Sequence, residues 1–136
     1  MKAKILWFTG LSGSGKTTLG NLVFDYLKKY RKNFKIKKID GAIFRKKKKL
    51  KSFTKDNIIE NNLKIINYIK NINSKYDFIL VSVISPLIKT RQIARKFFLE
   101  NYYEIHAKCS ISTLIKRDTK KLYELAKKKK LKNLIG

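Results

Sequence analysis

The chain has 136 residues, 43% of them hydrophobic, with 34 Lys and Arg against 9 Asp and Glu and a formal net charge of +25. That length supports one compact core and not two, so a single domain over residues 1–136 is expected. No apolar run approaches the roughly 18 residues of a membrane span, no signal-peptide pattern opens the chain, and the one cysteine, Cys109, excludes an intrachain disulfide and a zinc-type cluster; a cytoplasmic protein without a membrane partner is expected, with Cys109 a plain buried or edge residue.

Taken in order, short β-type runs alternate with helical periodicity. Lys4 to Phe8 predicts a strand. Thr17 to Tyr30 carries Leu19, Leu22, Val23, Tyr26 and Leu27 at the spacing of an amphipathic helix. A second strand, Lys35 to Ile39, ends at Asp40-Gly41 and leads into a basic loop. Thr54 to Ile72 predicts a long helix with Ile58, Ile59, Leu63, Ile66 and Ile69 on one side. Phe78 to Ile84, the most continuously apolar run, predicts a central strand buried on both faces and stopped by Pro86. A helix at Lys89 to Leu99, a strand at Tyr102 to Ala107, a helix at Ile111 to Lys116 and a helical stretch from Thr119 to about Lys130 complete the pattern. Strand and helix alternating at this rhythm predict an α/β fold: a mostly parallel sheet with helices on both faces, because parallel neighbours need crossovers. Trp7 and the phenylalanines at 8, 78, 97 and 98 fall at core-facing spacings.

Between the first strand and the first helix, Gly10-Leu11-Ser12-Gly13-Ser14-Gly15-Lys16-Thr17 fits G-x-x-x-x-G-K-[ST] in the context the motif requires. Glycines let the backbone curl so that successive N–H groups point inward at a phosphate, reinforced by the positive end of the following helix. Lys16 then neutralises the β- and γ-phosphates, and the Thr17 hydroxyl can ligate a bridging magnesium. The first twenty residues, Thr18 included, therefore build a cradle for ATP with Mg2+.

The segments GLSGSGKTT, IDGAIFR, VSVISP, KRDTKKLYELA and KNLIG follow one another in the order and approximate spacing of the adenylylsulfate kinase family, which the chain resembles over nearly its whole length. The resemblance implies a P-loop NTPase-like three-layer sandwich. It also implies transfer of the ATP γ-phosphate to the 3′-hydroxyl of adenosine 5′-phosphosulfate, serving sulfate assimilation or sulfation. Carried over by position, Asp40 lies beside the magnesium and the attacking hydroxyl, where a carboxylate can take its proton; read from the residues alone, Asp40 in "DG" is equally a turn residue. The same carry-over makes Arg45 the holder of the phosphosulfate, Phe53 the aromatic that stacks on the adenine, and Asn61 its hydrogen-bonding asparagine. Ile84 and Ser85 line the pocket, Ser85 with a catalytic role, while Lys120 and Leu122 belong to a closing lid; Arg91, Arg95 and Arg117 also match. A homodimer is compatible with the resemblance.

The departures fall on the acceptor side. Ala42 replaces the second aspartate of D-G-D, Ile58 an arginine, Leu63 the first arginine of N-I-R-R with only Lys64 nearby, Lys121 a glycine, and Leu134 the second stacking aromatic. The donor half is whole and the acceptor half eroded. A kinase of another small nucleotide-linked acceptor, such as a cytidine-diphosphate-linked phosphoramidate, is therefore the alternative on the same scaffold. A basic nucleic-acid-binding protein without activity is a third reading that charge alone supports, and the abundance of Lys, Ile and Asn together is what AT-biased coding produces regardless of function; nucleic acid is not the expected partner. His106, in a strand with no partner motif, reads as a structural or edge histidine and not a general base.

Overall fold

The computed structural model describes residues 2–47, 54–118 and 120–128. Ten strands and helices alternate among them: β1 (Lys4–Thr9), α1 (Lys16–Tyr30), β2 (Ile36–Asp40), α2 (Gly41–Lys47), α3 (Lys55–Ile72), β3 (Phe78–Ser82), α4 (Ile88–Phe98), β4 (Tyr102–His106), α5 (Ile111–Arg117) and α6 (Leu122–Lys127). The four strands form one sheet in the order β2-β3-β1-β4. Every pairing is parallel, with Phe8 and Asp40 both in register with Ser82. All strand C-termini therefore point one way, and the loops leaving them share one edge, where α/β sheets bind ligands.

Side-chain alternation divides the sheet between two helical layers. Ile5, Trp7, Ile79 and Val81 face a core completed by Ile65, Ile66 and Ile69 of α3 and by Ala94 and Phe98 of α4. The opposite face carries α1, whose Gly20 lies so close to Phe8 and Ser82 that a Cβ there would come within 2.8 Å of Ser82 Oγ. Thr54 caps α3 by accepting from Asn57 N, as a threonine before a helical run is placed to do.

Several boundaries and faces differ from the sequence reading. Residues 41–47, expected to open a basic loop, are helical, because Asp40 Oδ1 accepts from Ala42 N at 2.8 Å and Ile43 N at 3.1 Å and so caps α2. β3 ends at Ser82 and not at Ile84: Val83 N makes a last bond to Phe8 O at 3.1 Å, and beyond it β1 has turned into the glycine loop and β2 into α2. α4 stops at Phe98 because Leu99 takes a left-handed φ of 51°. Leu22 and Tyr26, expected on the buried stripe of α1, are each 62% exposed, and Phe97 is exposed with Lys70 Nζ 4.4 Å over its ring. Within α3 the fully buried positions include Asn62 and Ile65, absent from the expected stripe, while Ile59 and Leu63 are half-buried. Phe78 is half-buried against Phe34 at 5.2 Å, and His106 is exposed at the end of β4. Phe53 and Leu134 lie outside the described residues.

Gly41, the first residue of α2, is where the sheet edge and the helix come closest. A Cβ there would lie 2.5 Å from Val83 Cγ2 and 2.9 Å from Val83 Cβ, a stiff, buried side chain. Gly41→Ala should destabilise the protein by about 1–3 kcal/mol through overpacking, more than the helix propensity it gains. Urea unfolding checks this, and adding Val83→Ala should recover part of the loss; equal stability of Gly41→Ala and the wild type would contradict the close contact.

Candidate active site

Positive backbone angles at Gly10, Gly13 and Gly15 shape the turn that joins β1 to α1. At Gly10 (φ 146°) a Cβ would meet Ala107 O and Ser14 Oγ at 2.7 Å, so only glycine fits. Gly15 (φ 92°) precedes α1 without any side-chain cap, which leaves the first N–H groups of the helix free to face an anion. Ser14 Oγ is buried with no hydrogen-bond partner among the described residues. These features fit a phosphate group.

The loop opens on a cleft of about 860 Å³. Lys16, buried at its edge, turns back to donate from Nζ to Leu11 O at 2.5 Å. Its pKa is lowered from 10.5 to about 8, chiefly by burial and further by the charge of Lys120, with Asp40 opposing. Thr17 Oγ1 donates to Asp40 Oδ2 at 2.9 Å, so one carboxylate both caps α2 and holds the start of α1. The turn reading of Asp40 and the site reading describe the same side chain. Arg45, projecting from α2, is half-buried; burial pulls its pKa down while Asp40 opposes the shift.

Of the residues expected in the site, Ser12, Gly13, Gly15, Lys16, Thr17 and Thr18 line the cleft on the loop side, and Asp40, Arg45, Asn61, Ile84 and Lys120 line it elsewhere. Asn61 Nδ2 donates to Gly41 O at 3.3 Å, tying α3 to the start of α2. Gly10, Leu11 and Ser14 shape the turn behind the lining. Ser85 is not brought into the cleft: it is 0% exposed, its hydroxyl lies 3.5 Å from Thr90 Oγ1, and its carbonyl accepts from Thr9 Oγ1 at 3.2 Å and Arg91 Nη1 at 2.7 Å. Leu122 is also buried off the cleft, under the start of α6. Phe53 lies outside the described residues. Arg91 is instead an internal tether, bonded through Nε to Glu104 Oε1 at 2.8 Å.

Tyr123 and Asp118 were not singled out from the sequence, whereas Arg117 was matched by position. Tyr123 OH donates to Ser12 O at 2.8 Å and so fastens α6 onto the phosphate loop, while Asp118 caps α6 through Tyr123 N and Glu124 N. Tyr123 lies inside the KRDTKKLYELA segment, and a hydroxyl one residue beyond Leu122 was the available signal. Arg117 also lines the cleft, with Nη1 3.5 Å from Gly13 O and 3.9 Å from Cys109 Sγ.

A parallel sheet whose first crossover begins in a glycine cradle, with a lysine and a threonine at the helix start and a carboxylate facing them from the next strand, defines a phosphate-loop nucleotide-binding protein. The family model described as adenylylsulphate kinase matches residues 2–136. The chain belongs to that family of ATP-dependent kinases. It is 36% identical over 132 residues to the cytidine diphosphoramidate kinase of Campylobacter jejuni, covering 97% of this chain and 76% of that protein. It is likewise 36% identical over 137 residues to a probable adenylyl-sulfate kinase of Bacillus subtilis, covering 99% of this chain and 68% of the relative. Among solved structures, the Mycobacterium tuberculosis APS kinase CysC in complex with AMPPNP and APS superposes with a TM-score of 0.84 at 28% identity, over 96% of this chain and 76% of that one. No helix among the described residues is long and apolar enough to cross a membrane.

The lowered pKa of Lys16 sets a pH dependence. In the free protein the ammonium form is lost as pH rises through about 8, whereas bound phosphates would favour that form. ATP binding at pH 9 should therefore take up a proton, and apparent affinity should fall as pH rises above about 8. Calorimetry in buffers of different ionisation enthalpy measures the uptake. Lys16→Met should bind more weakly and show no such uptake; identical uptake in the variant would assign the proton to another group.

Proposed function

We propose that the chain transfers the γ-phosphate of ATP to the 3′-hydroxyl of adenosine 5′-phosphosulfate, giving 3′-phosphoadenosine 5′-phosphosulfate. One observation carries the reading: Lys16, Thr17, Asp40, Arg45 and Asn61 line a single cleft, with Asp40 bonded to Thr17. Transfer in line needs two phosphate-bearing ligands held end to end with a proton acceptor at their junction, and charge neutralisation does most of the rest.

Each residue has a task in that step. Lys16 leaves Leu11 O for the β- and γ-phosphates. Asp40 orients the acceptor hydroxyl and takes its proton as the new P–O bond forms and the bond to ADP breaks. Arg45 binds the anionic end of the acceptor, and Arg117 and Lys120 add positive charge from the α5 and α6 side. Thr17 and Asp40 would hold magnesium, since a hydroxyl and a carboxylate 2.9 Å apart are hard oxygen donors of the kind this ion keeps beside phosphate. When bound, the ion neutralises charge on the transferring group. Ser85, buried behind the cleft, serves the shape of the wall in this reading, with no covalent intermediate.

A second reading, phosphorylation of cytidine diphosphoramidate, is favoured by the acceptor wall and by the Campylobacter relative. Ile58 lines the cleft, only 2% exposed, where the family resemblance places an arginine, and Ala42 lines it in place of an aspartate. Losing a charged contact of this kind costs about 1–3 kcal/mol of acceptor binding, which a different acceptor would not miss.

Coupled ADP release against a panel containing both acceptors separates the readings. Adenosine 5′-phosphosulfate is expected to give the higher kcat/KM; a preference for cytidine diphosphoramidate transfers the assignment to the second reading, and turnover of neither removes both. With the better acceptor, Asp40→Asn should lower turnover by about 10²-fold while leaving the protein folded, because an amide still caps α2 but cannot take a proton. Ala42→Asp with Ile58→Arg should raise kcat/KM for adenosine 5′-phosphosulfate.

A further inference from the structure

Among the cross-links behind the acceptor wall of the cleft is the amide of Asn62. Asn62, in the middle of α3, is completely buried. Its Nδ2 donates to Ile58 O at 2.7 Å, one turn back on the same helix, and to Ile84 O at 3.2 Å on the segment leaving β3. Ile58 and Ile84 both line the cleft, whereas Asn62 does not. The next carbonyl, Ser85 O, is taken by Thr9 Oγ1 and Arg91 Nη1. Two successive carbonyls past the end of the ladder thus depend on side-chain donors, and for Ile84 O that donor is Asn62.

Packing does not account for an asparagine at this position. Its Oδ1 is buried with no hydrogen-bond partner among the described residues, an arrangement that an aliphatic side chain of similar volume would avoid. Ile58, Ile65 and Ile66, all buried neighbours on α3, show that the surroundings suit an apolar residue. A leucine would fill the space, but it could not donate to Ile84 O.

We infer that Asn62 is a positioning residue for the acceptor: by joining the backbones of Ile58 and Ile84 it sets the separation of the two hydrophobic side chains against which the acceptor nucleotide rests. The inference rests on the acceptor occupying this wall, as in the proposed function. Asn62 acts through its two partners and leaves the phosphate loop alone, so it bears on the acceptor and not on ATP.

Asn62→Leu tests this by removing the donor and the unpaired oxygen together at nearly constant volume. The expected variant melts no lower than the wild type, yet amide hydrogen exchange across residues 82–90 in the nucleotide-free protein is about threefold or more faster. KM for the acceptor that the wild type turns over rises about tenfold, with KM for ATP within about twofold. A folded variant with wild-type exchange across 82–90 overturns the inference whichever acceptor is used; so does faster exchange with an unchanged acceptor KM. If the wild type turns over neither adenosine 5′-phosphosulfate nor cytidine diphosphoramidate, the proposed function falls on that result, and exchange alone decides the role of Asn62. Asn62→Ser, too short to reach Ile84 O, carries the same readouts should the leucine variant fail to fold.

Discussion

The Asp40 carboxylate is the constraint on which the site depends. One oxygen caps α2 and the other accepts the Thr17 hydroxyl, so a single side chain at the end of β2 fixes where two helices begin. This is possible only because α1 crosses over β3 to reach β2. Ser82 Oγ, at the end of β3, donates to Lys16 O at 3.2 Å, and Gly20 allows the helix to lie close on the strand. Larger residues at 20 or 82 would lift α1 and part Thr17 from Asp40. The chemistry of the cleft thus rests on small residues packed beneath it as much as on the charged ones within it.

Charge in the cleft is unbalanced by design of its contents. Lys16, Arg45, Arg117 and Lys120 line it against the one carboxylate of Asp40. Burial draws the pKa of both Lys16 and Arg45 down, with the charge of Asp40 opposing the shift in each. Polyphosphate relieves that imbalance when it enters, which converts the cost of gathering the cations into affinity for the ligand. Among the described residues the other lysines stand mainly in solvent, where mobile ions screen them beyond about 10 Å. They raise the general attraction for anions without setting geometry.

The two halves of the cleft are built on different principles. The donor half is local: a tight turn of glycines and the free N–H groups of one helix. Tyr123 to Ser12 O, Arg117 to Gly13 O and Ser82 to Lys16 O then tie that turn to segments far along the chain. The acceptor half is made of cross-links between separate elements, with Asn61 reaching Gly41 O, Asn62 reaching Ile84 O, and Thr9 with Arg91 converging on Ser85 O. Rigid carbonyl clamps there stand behind apolar lining at Ile58 and Ile84.

The phosphate loop and the alternation of strand and helix were legible in the sequence because both are encoded locally: the loop within eight consecutive positions, the elements in the spacing of apolar residues along each segment. The parallel sheet followed from the crossovers. What the tertiary structure alone decided are contacts between residues far apart in the chain, which depend on strand register and helix placement that no local pattern carries. Asp40 looked like either a turn or a site residue, and folding places it at the turn and in the cleft lining, bonded to Thr17. Ser85 looked like a pocket residue, but the chain turns its hydroxyl toward Thr90 once β3 loses its neighbours. Leu22 and Tyr26 kept helical spacing yet stayed exposed, because α1 meets the sheet through Gly20, where the backbone can approach, and not through its largest side chains. Asn62, polar and unmarked by any motif, was assigned its place only when Ile84 O came within reach.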